Sequence, residues 1–477
     1  MPSLTSHWYT TWQTKLSNAS LTSLRNVRPL CAFNAVIDNV IIFDKAVAYN
    51  FFKHFENQRR SVKHRANSPI LRVDSPTELA AVIIQSFSTG KAMHVPSNPQ
   101  LLSWVKNNFG LRSTSLGGQA GKIANQLALL GAKPIFYTPQ LSTELANLFS
   151  PRVRFPVAGK RLSFESVQAA GKRNGDQRVN YIFEYKQGDV FEFGGTVFRA
   201  PRSNRIILAS PQRSPPIFQP ALVHFLPELG GSIDAGIFSG YQAIQPNYED
   251  GTTFEYYLSL EELYLTMLKS HTNIPLHVEY VSTPFKQIDK QIYEHVTKHV
   301  DSFGINEIEL VELSDKLGFS KQGRDVVKSE NVVTLHAAAE KILNALHLKR
   351  LHVHNLGYHL VLLKKPIDVV HQKKQVNGVL FGSLAATARA LKGREITRGE
   401  VQDSLDIGVS EIALNQMARM CAHLSLSRSR AEHALLTGIF DMHDHVLLIV
   451  PGQVAPITTR TVGLGDVISS CSFLAGL

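Results

Sequence analysis

Apolar runs of strand length alternate with segments of helical period along most of the chain, and this alternation constrains the fold more than any other feature. It is typical of a mainly parallel sheet covered by helices. We therefore predict an α/β fold. The predicted strands are 30–36, 134–137, 276–281, 307–311, 350–354 and 445–450, and the predicted helices include 119–130, 258–270, 287–300 and 332–346.

One region, residues 179–209, breaks this rhythm. It consists of short β-rich pieces separated by turns at Gly188 and at Gly194 and Gly195. Glycine turns at this spacing indicate a β-meander rather than a βαβ unit. We predict a small β-sheet beside the α/β body, an element that suits a lid.

Composition narrows the classes of protein. The chain has 477 residues and is 44% hydrophobic, enough for a large core. Three dispersed cysteines indicate neither a disulfide framework nor a zinc site, and no apolar run is long enough for a membrane span. We expect a soluble, cytoplasmic protein. The net charge of +11 is spread out, and its densest run, 59–65, lacks aromatics, so we favour a surface that attracts phosphorylated ligands over a nucleic-acid binder.

The C-terminal stretch carries the sharpest chemical signal. Gly463 and Gly465 flank Leu464, and Asp466 follows at the start of a segment that looks helical. Backbone N–H groups at such a turn converge on an anion, and Asp466 beside them is placed to accept a proton from an attacking hydroxyl. The structural alternative is that Asp466 only caps the helix.

Two other turns offer groups suited to sugar hydroxyls. Gly118 and Gln119 open a predicted helix, where paired glycines allow close approach and the glutamine amide both donates and accepts. Asn34 and Asp38 flank a turn after the first predicted strand. Each motif is also compatible with a purely structural turn. A Walker loop is absent.

Four charged residues are of types that bind metal ions and phosphate groups. Glu279 and Glu309 lie at predicted strand ends, where carboxylates hold magnesium directly or through water. Arg202 and Arg205 follow the β-rich region, and arginine binds phosphate through a bidentate fork. All four are also compatible with a solvated surface.

Taken together and in order, these motifs resemble the ADP-dependent glucokinase and phosphofructokinase family, from about residue 30 to the end. The segments that carry the resemblance are 32–38, 117–125, 181–185, 201–205, 239–242, 277–279, 306–310 and 461–466. The resemblance implies a ribokinase-like αβα three-layer sandwich with a smaller β-rich lid. We expect the large domain mainly in 20–38, 75–150 and 210–477, and the lid mainly in 39–74 and 151–209.

The resemblance also implies transfer of the β-phosphate of ADP to a hexose hydroxyl, giving AMP, with Mg2+ as cofactor. Asp466 is then the base, Gly463, Leu464 and Gly465 form the anion hole, and Glu279, Glu309 and Asp466 serve the metal. Arg202 and Arg205 meet phosphate when the lid closes. The sugar-binding residues are Asn34, Asp38, Gly118 and Gln119, and the nucleotide-binding residues are Asn306, His354, Gly357, Tyr358, Ile449 and Val454.

Two departures from the family pattern bear on the sugar. His94 stands where family glucokinases place a glucose-binding glutamate, and Asn180 where they place a histidine. A pocket that lacks a partner for a buried hydroxyl discriminates against that sugar. We therefore favour fructose 6-phosphate, with Lys160, Arg161, Lys172 and Arg173 as cations for its phosphate.

Several alternatives stay open. Besides a phosphofructokinase, the sequence is compatible with an enzyme that accepts both sugars, with a glucokinase whose pocket uses other residues, and with a ribokinase-like kinase that uses ATP. A catalytically silent sugar or nucleotide sensor is a further alternative, although every role in the transfer has an occupant. We expect small-molecule ligands and no nucleic acid or membrane, as a monomer or a dimer.

Overall fold

A computed structural model describes residues 4–171, 178–210, 215–248, 250–283, 285–456 and 463–477. The strands in these residues are β1 Pro29–Phe33, β2 Val36–Ile42, β3 Met93–Pro96, β4 Ser113–Gly117, β5 Ile135–Tyr137, β6 Arg154–Ala158, β7 Leu162–Ser166, β8 Val179–Tyr185, β9 Val190–Phe193, β10 Thr196–Arg199, β11 Asn204–Ala209, β12 Ala235–Ser239, β13 Leu276–Glu279, β14 Ser302–Asn306, β15 Arg350–Asn355, β16 Tyr358–Lys364, β17 Ile439–Asp441 and β18 His445–Pro451.

The helices in the same residues are α1 Leu4–Ala19, α2 Lys45–Phe52, α3 Arg59–Ala66, α4 Pro76–Thr89, α5 Pro99–Asn108, α6 Gln119–Leu129, α7 Thr143–Ala146, α8 Val167–Ala170, α9 Pro220–Val223, α10 Leu226–Gly231, α11 Phe254–Lys269, α12 Lys286–Val296, α13 Glu307–Lys316, α14 Ser320–Lys328, α15 Val332–Ala345, α16 Val369–Lys392, α17 Glu411–His423, α18 Arg428–Thr437 and α19 Leu464–Ala475. Among them, no helix combines the length and apolar character needed to cross a membrane.

A sheet of 11 strands forms the body, in the order β17-β18-β16-β15-β14-β13-β12-β1-β5-β6-β7. Its centre is parallel, and antiparallel strands finish both edges. Side chains alternate between two helical layers. In β14, Phe303 packs against Tyr293 of α12, with ring centroids 5.6 Å apart, while the neighbouring Gly304 faces Ser469 of α19. The predicted α/β class with a central αβα sandwich is confirmed.

A second sheet has five strands in the order β3-β11-β8-β2-β4, and the separate hairpin β9–β10 packs beside it. This sheet has its own aromatic core. Phe52 of α2 stacks on Phe191 of β9 at 4.6 Å between centroids, and Phe43 lies 6.1 Å from Phe183 of β8. The predicted β-rich character of 179–209 is confirmed by β8 to β11.

The expected domain boundaries differ from this division in two places. Residues 76–117, expected in the large domain, supply α4, β3, α5 and β4 to the small sheet and its core, because α4 buries an almost continuous apolar surface there. Residues 154–166, expected in the lid, instead extend the large sheet as β6 and β7.

Two predicted strands were wrong in ways that matter for the site. Residues 30–36 form two strands of different sheets, since β1 ends at Phe33 and β2 begins at Val36, so Asn34 lies where the sheets join. Residues 307–311 begin helix α13, and the strand is 302–306. A capping box explains this: Asn306 accepts from the Glu309 N–H, and the Glu309 carboxylate accepts from the Asn306 N–H.

Adjacent glycines at the end of α10 test how closely the outer helices pack. A Cβ on Gly230 would lie 1.9 Å from the Leu268 carbonyl oxygen of α11, whereas a Cβ on Gly231 meets nothing within 4 Å. We expect Gly230→Ala to lower the free energy of unfolding in urea by about 2 kcal/mol or more. Gly231→Ala is the matched control and should change it by less than about 1 kcal/mol. Equal effects would contradict this packing.

Candidate active site

A cavity of about 570 Å³ lies where the two sheets meet. The large sheet contributes residues at the carboxyl ends of its parallel strands, among them Glu279 of β13 and Asn306 of β14. The small sheet contributes one face of its central strands, including Asp38, Asn180 and Arg205. Ligands of open α/β sheets gather at this edge. The cavity thus has one wall from each sheet.

Asp466 faces this cavity from the first turn of α19. The helix begins after Gly463, whose φ of 78° is one that glycine adopts readily. A Cβ on Gly465 would lie 2.7 Å from the His354 ring, so only glycine fits there. The first N–H groups of the helix have no partner within it. Asp466 therefore stands in the first turn of the helix, beside N–H groups that are able to bind an anion.

Gln119 and Lys122, from the first turns of α6, surround the Asp466 carboxylate. The Gln119 amide donates to Asp466 Oδ1 at 3.1 Å. Burial raises the pKa of Asp466 above its ordinary value, although Gln119, Lys122 and Arg389 oppose that shift. A base with a raised pKa is better matched to proton transfer near neutral pH than an ordinary aspartate.

Asp38 is held by two donors on the opposite wall. Its carboxylate accepts from the Asn180 amide at 2.9 Å and pairs with Lys122 at 3.2 Å, with both ends of the ion pair buried. A Cβ on Gly117 would come within 2.4 Å of this carboxylate, and a Cβ on Gly118 within 2.6 Å of the Asn34 carbonyl oxygen. The glycine pair is thus required by close packing around the polar groups.

Two amide oxygens in the cavity, Gln119 Oε1 and Gln242 Oε1, have no hydrogen-bond partner among the residues that the structure describes. A buried acceptor without a donor is costly. Donors supplied by a ligand, such as hydroxyl groups, would satisfy both atoms.

Glu279 and Glu309 line the same cavity near Asp466. Burial raises the pKa of Glu279 well above its ordinary range, and the charges of Asp466 and Glu309 add to the effect. The pKa of Glu309 is raised to about 7, first by burial and further by Asp466. Carboxylate oxygens are ligands that Mg2+ prefers. A bound cation would also offset the repulsion between these buried carboxylates. They fit a hydrated ion, since in the described residues they do not form a group with ligand atoms all within 4.8 Å.

The two arginines predicted to bind phosphate lie in different surroundings. Arg205 lines the cavity, but Arg202 is exposed and donates to the Gly90 carbonyl oxygen at 2.7 Å, outside it. In this arrangement the Arg202 side chain closes the turn after α4, and its contact with phosphate on lid closure stays a prediction. Lys160 and Arg161 are exposed in the β6–β7 turn and do not line the cavity. Lys172 and Arg173 lie outside the described residues.

Two further cationic residues line the cavity at positions that no sequence motif indicated. Lys122 is buried on α6, and Arg178 donates to Gln140 Oε1 at 3.0 Å. A single charged residue inside a helix looks like surface in the sequence, so Lys122 was missed. His94 also lines the cavity, on β3, as do Asn34, Gly118 and Asn180.

A second cavity of about 310 Å³ adjoins the first, and Asn306, His354 and Gly465 line both. Gly357, which the sequence analysis assigns to the nucleotide, lines the second cavity. Tyr358, Ile449 and Val454 do not: the first two are buried in strands β16 and β18. The lining residues that the prediction missed include Ile468 of α19 and four residues of α16, Ser383, Ala386, Thr387 and Ala390. The run of small residues in α16, 382–390, was their available signal.

Comparison with known proteins agrees with this architecture. Residues 27–475 match the model of the ADP-specific phosphofructokinase/glucokinase conserved region. The chain belongs to this family. The predicted resemblance is therefore confirmed, and members of the family are ADP-dependent sugar kinases.

Three relatives illustrate the range of the family. The ADP-specific phosphofructokinase of Pyrococcus furiosus is 29% identical, over 94% of this chain and 96% of its own. The ADP-dependent glucose/glucosamine kinase of Pyrococcus furiosus is 27% identical, over 97% and 98%. A solved ADP-dependent kinase in complex with fructose 6-phosphate and ADPβS is 30% identical, covers 99% of this chain and 98% of its own, and has a TM-score of 0.81.

The raised pKa of Glu309 predicts a pH-dependent stability. The folded pKa of about 7 exceeds the ordinary value of 4.5, so the native state binds protons more tightly and loses stability as pH rises from 4.5 to 7. Without divalent cations, we expect Glu309→Gln to raise the free energy of unfolding at pH 8 by about 1–3 kcal/mol, but not at pH 4.5. The glutamine keeps the capping box.

The measurement is urea unfolding at both pH values after treatment with a chelator. The matched control is Glu411→Gln, an exposed residue in the first turn of α17, which should show no such pH dependence. A Glu309→Gln variant that is equally destabilised at both pH values would refute the burial of an uncompensated charge.

Proposed function

We propose that this protein is an ADP-dependent 6-phosphofructokinase, which transfers the β-phosphate of ADP to the hydroxyl of fructose 6-phosphate and releases AMP. The observation that carries the proposal is the position of Asp466, at the helix terminus between a polar cavity and a second cavity that adjoins it. The three unpaired, buried cysteines support the predicted cytoplasmic location.

In this mechanism Asp466 accepts the proton of the attacking sugar hydroxyl. The hydroxyl oxygen forms a bond to the β-phosphorus of ADP, and the bond to the oxygen shared with the α-phosphorus breaks, leaving AMP with the electron pair. Gln119 fixes the carboxylate through its 3.1 Å hydrogen bond. The N–H groups at Gly463, Leu464 and Gly465 stabilise the charge on the transferring phosphoryl group.

On the sugar side, Asp38 and the amides of Gln119 and Asn180 supply acceptors and donors for hydroxyl groups, with Asn34 and Gly118 beside them. Asn306, His354 and Gly357 lie along the nucleotide side. The residues missed in the sequence, from α16 and the start of α19, complete a pocket of mixed small and apolar side chains, which suits a flat base.

Glu279 and Glu309, with Asp466 nearby, are the residues that would hold Mg2+, directly or through water. When bound, the ion supplies positive charge to the transferring phosphates. Arg205 and Lys122 add fixed cationic charge on the cavity walls.

Fructose 6-phosphate is favoured as the acceptor by the lining of the cavity. His94 offers no carboxylate to a glucose hydroxyl, and Arg205, Arg178 and Lys122 bring positive charge suited to a sugar phosphate. The relative solved with fructose 6-phosphate and ADPβS supports the same choice. Glucose is the second candidate, because one relative is named as a glucose/glucosamine kinase.

Steady-state kinetics separate the candidates. We expect kcat/KM with ADP to be at least roughly 100-fold higher for fructose 6-phosphate than for glucose, since the sugar phosphate gains charge-assisted contacts with the cationic residues of the cavity that glucose cannot make. Both sugars are assayed with ADP and with ATP by the release of AMP or ADP. A higher kcat/KM for glucose would establish a glucokinase, and turnover with ATP alone would contradict the assigned donor.

A further inference from the structure

At the edge of the large sheet away from the active site lies a cluster of ligand-type side chains, formed by His336, Glu340 and His445. One potential ligand atom from each lies within 4.8 Å of the other two. Within the ranges that the structure describes, it is the one group of three histidine, cysteine or carboxylate side chains that converge in this way. None of them lines either active-site cavity.

We propose that His336, Glu340 and His445 bind one Zn2+ ion. The two imidazoles face each other through Nε2 atoms 2.9 Å apart. Two imidazole ligands of a tetrahedral zinc ion, each at its usual bond length, are separated by about 3.3 Å. The pair therefore needs to open by only a few tenths of an ångström, with a tilt of the rings, to admit the ion.

His445, at the start of β18, is already oriented as a ligand. Its Nδ1 donates to Asp444 Oδ1 at 2.8 Å, which directs the lone pair of Nε2 toward His336. Lys364 pairs with Asp444 at 2.9 Å and keeps the carboxylate in place. A carboxylate behind a metal-binding histidine fixes its tautomer and raises its basicity. In the metal-free state the His336 Nε2–H donates to His445 Nε2. When zinc binds, this proton moves to His336 Nδ1, so that both Nε2 atoms are free to coordinate the ion.

The third ligand comes from the same helix as the first. Glu340 follows His336 by four residues in α15, so both side chains lie on one face of the helix. A carboxylate oxygen of Glu340 lies within 4.8 Å of a ring nitrogen of each histidine. The side chain is 37% exposed, which gives the ion a path from solvent and leaves the fourth position to water. Burial lowers the pKa of His336 to about 4, so the imidazole is neutral and free to coordinate near neutral pH.

The donor set selects the class of metal. Two imidazoles and one carboxylate suit zinc and its first-row neighbours, whereas Mg2+ takes oxygen ligands. The site therefore differs in chemistry from the acidic cluster around Asp466. It is also remote: His445 begins β18, and the strand runs through 7 residues, or roughly 20 Å, before reaching the edge near Gly357.

Zinc at this position would tie helix α15 to strand β18. Because zinc binds the folded site and not the unfolded chain, it should raise the Tm. The inference does not rest on the sugar or the nucleotide, so its failure would leave the proposed kinase activity untouched.

The test measures zinc retained by the full-length protein after chelation, reloading with Zn2+ in excess Mg2+, and desalting. We expect about one zinc per chain, and a Tm higher by a few degrees than in the metal-free state. His336→Gln and Glu340→Gln should weaken zinc binding at least roughly 10-fold, and Asp444→Asn by roughly 10- to 100-fold. Glu340→Gln should leave the metal-free Tm unchanged, because the side chain is partly exposed.

The matched control is His295→Gln. His295 lies in the last turn of α12, and His299 follows it by four residues, just beyond the helix. Both contact Glu262, at 3.1 and 3.5 Å, but their ring centroids are 6.5 Å apart, compared with 5.2 Å for His336 and His445. This variant should retain zinc as the wild type does. The proposal is overturned if wild type retains no zinc, if His336→Gln retains it fully, or if His295→Gln abolishes it. The proposal is also overturned if Glu340→Gln lowers the Tm of the metal-free protein and does not weaken zinc binding.

Discussion

The hydrogen bond from Gln119 to Asp466 joins the first turns of two helices, and the rest of the site depends on this junction. Helix α6 directly follows β4, which pairs with β2 in the small sheet, while α19 packs on the large sheet. Their meeting brings Asp466 within the influence of Lys122, which also pairs with Asp38 across the cavity. This chain of contacts places the Asp466 carboxylate where the wall of the cavity formed by the small sheet faces the N-terminus of α19.

Negative charge is concentrated at this junction at a cost in stability. Asp466, Glu279 and Glu309 each have a raised pKa through burial, and Asp466 adds its charge to the shifts of both glutamates. Only partial compensation comes from Lys122 and Arg389. Functional sites commonly carry such strain, and a divalent cation would relieve it. The electrostatic arrangement and the amide oxygens of Gln119 and Gln242, which accept no hydrogen bond from the described residues, together suit a site for polar ligands.

The alternation of apolar runs predicted the fold class, and a local motif predicted the position of Asp466 at the start of a helix, because a glycine turn that opens a helix is encoded by neighbouring residues. Tertiary contacts were not predictable in this way. Lys122 acquires its role only when α6 meets β2, and the second cavity depends on small residues of α16 facing α19. Residues 307–311 were misread because alternating apolar residues imitate a strand, while the capping box decides for a helix. Likewise, His336 and His445 meet although 109 positions separate them in the chain.

Replacement of Asp466 by asparagine tests the central claim most directly, because it preserves the shape of the side chain and removes its basicity. We expect kcat to fall by roughly 10²–10⁴, with the Tm kept within a few degrees and the Kd for ADP little changed. Asp406→Asn, at an exposed position, is the control and should retain full activity. A folded Asp466→Asn enzyme with kcat within a few-fold of wild type would contradict the assignment of Asp466 as the base.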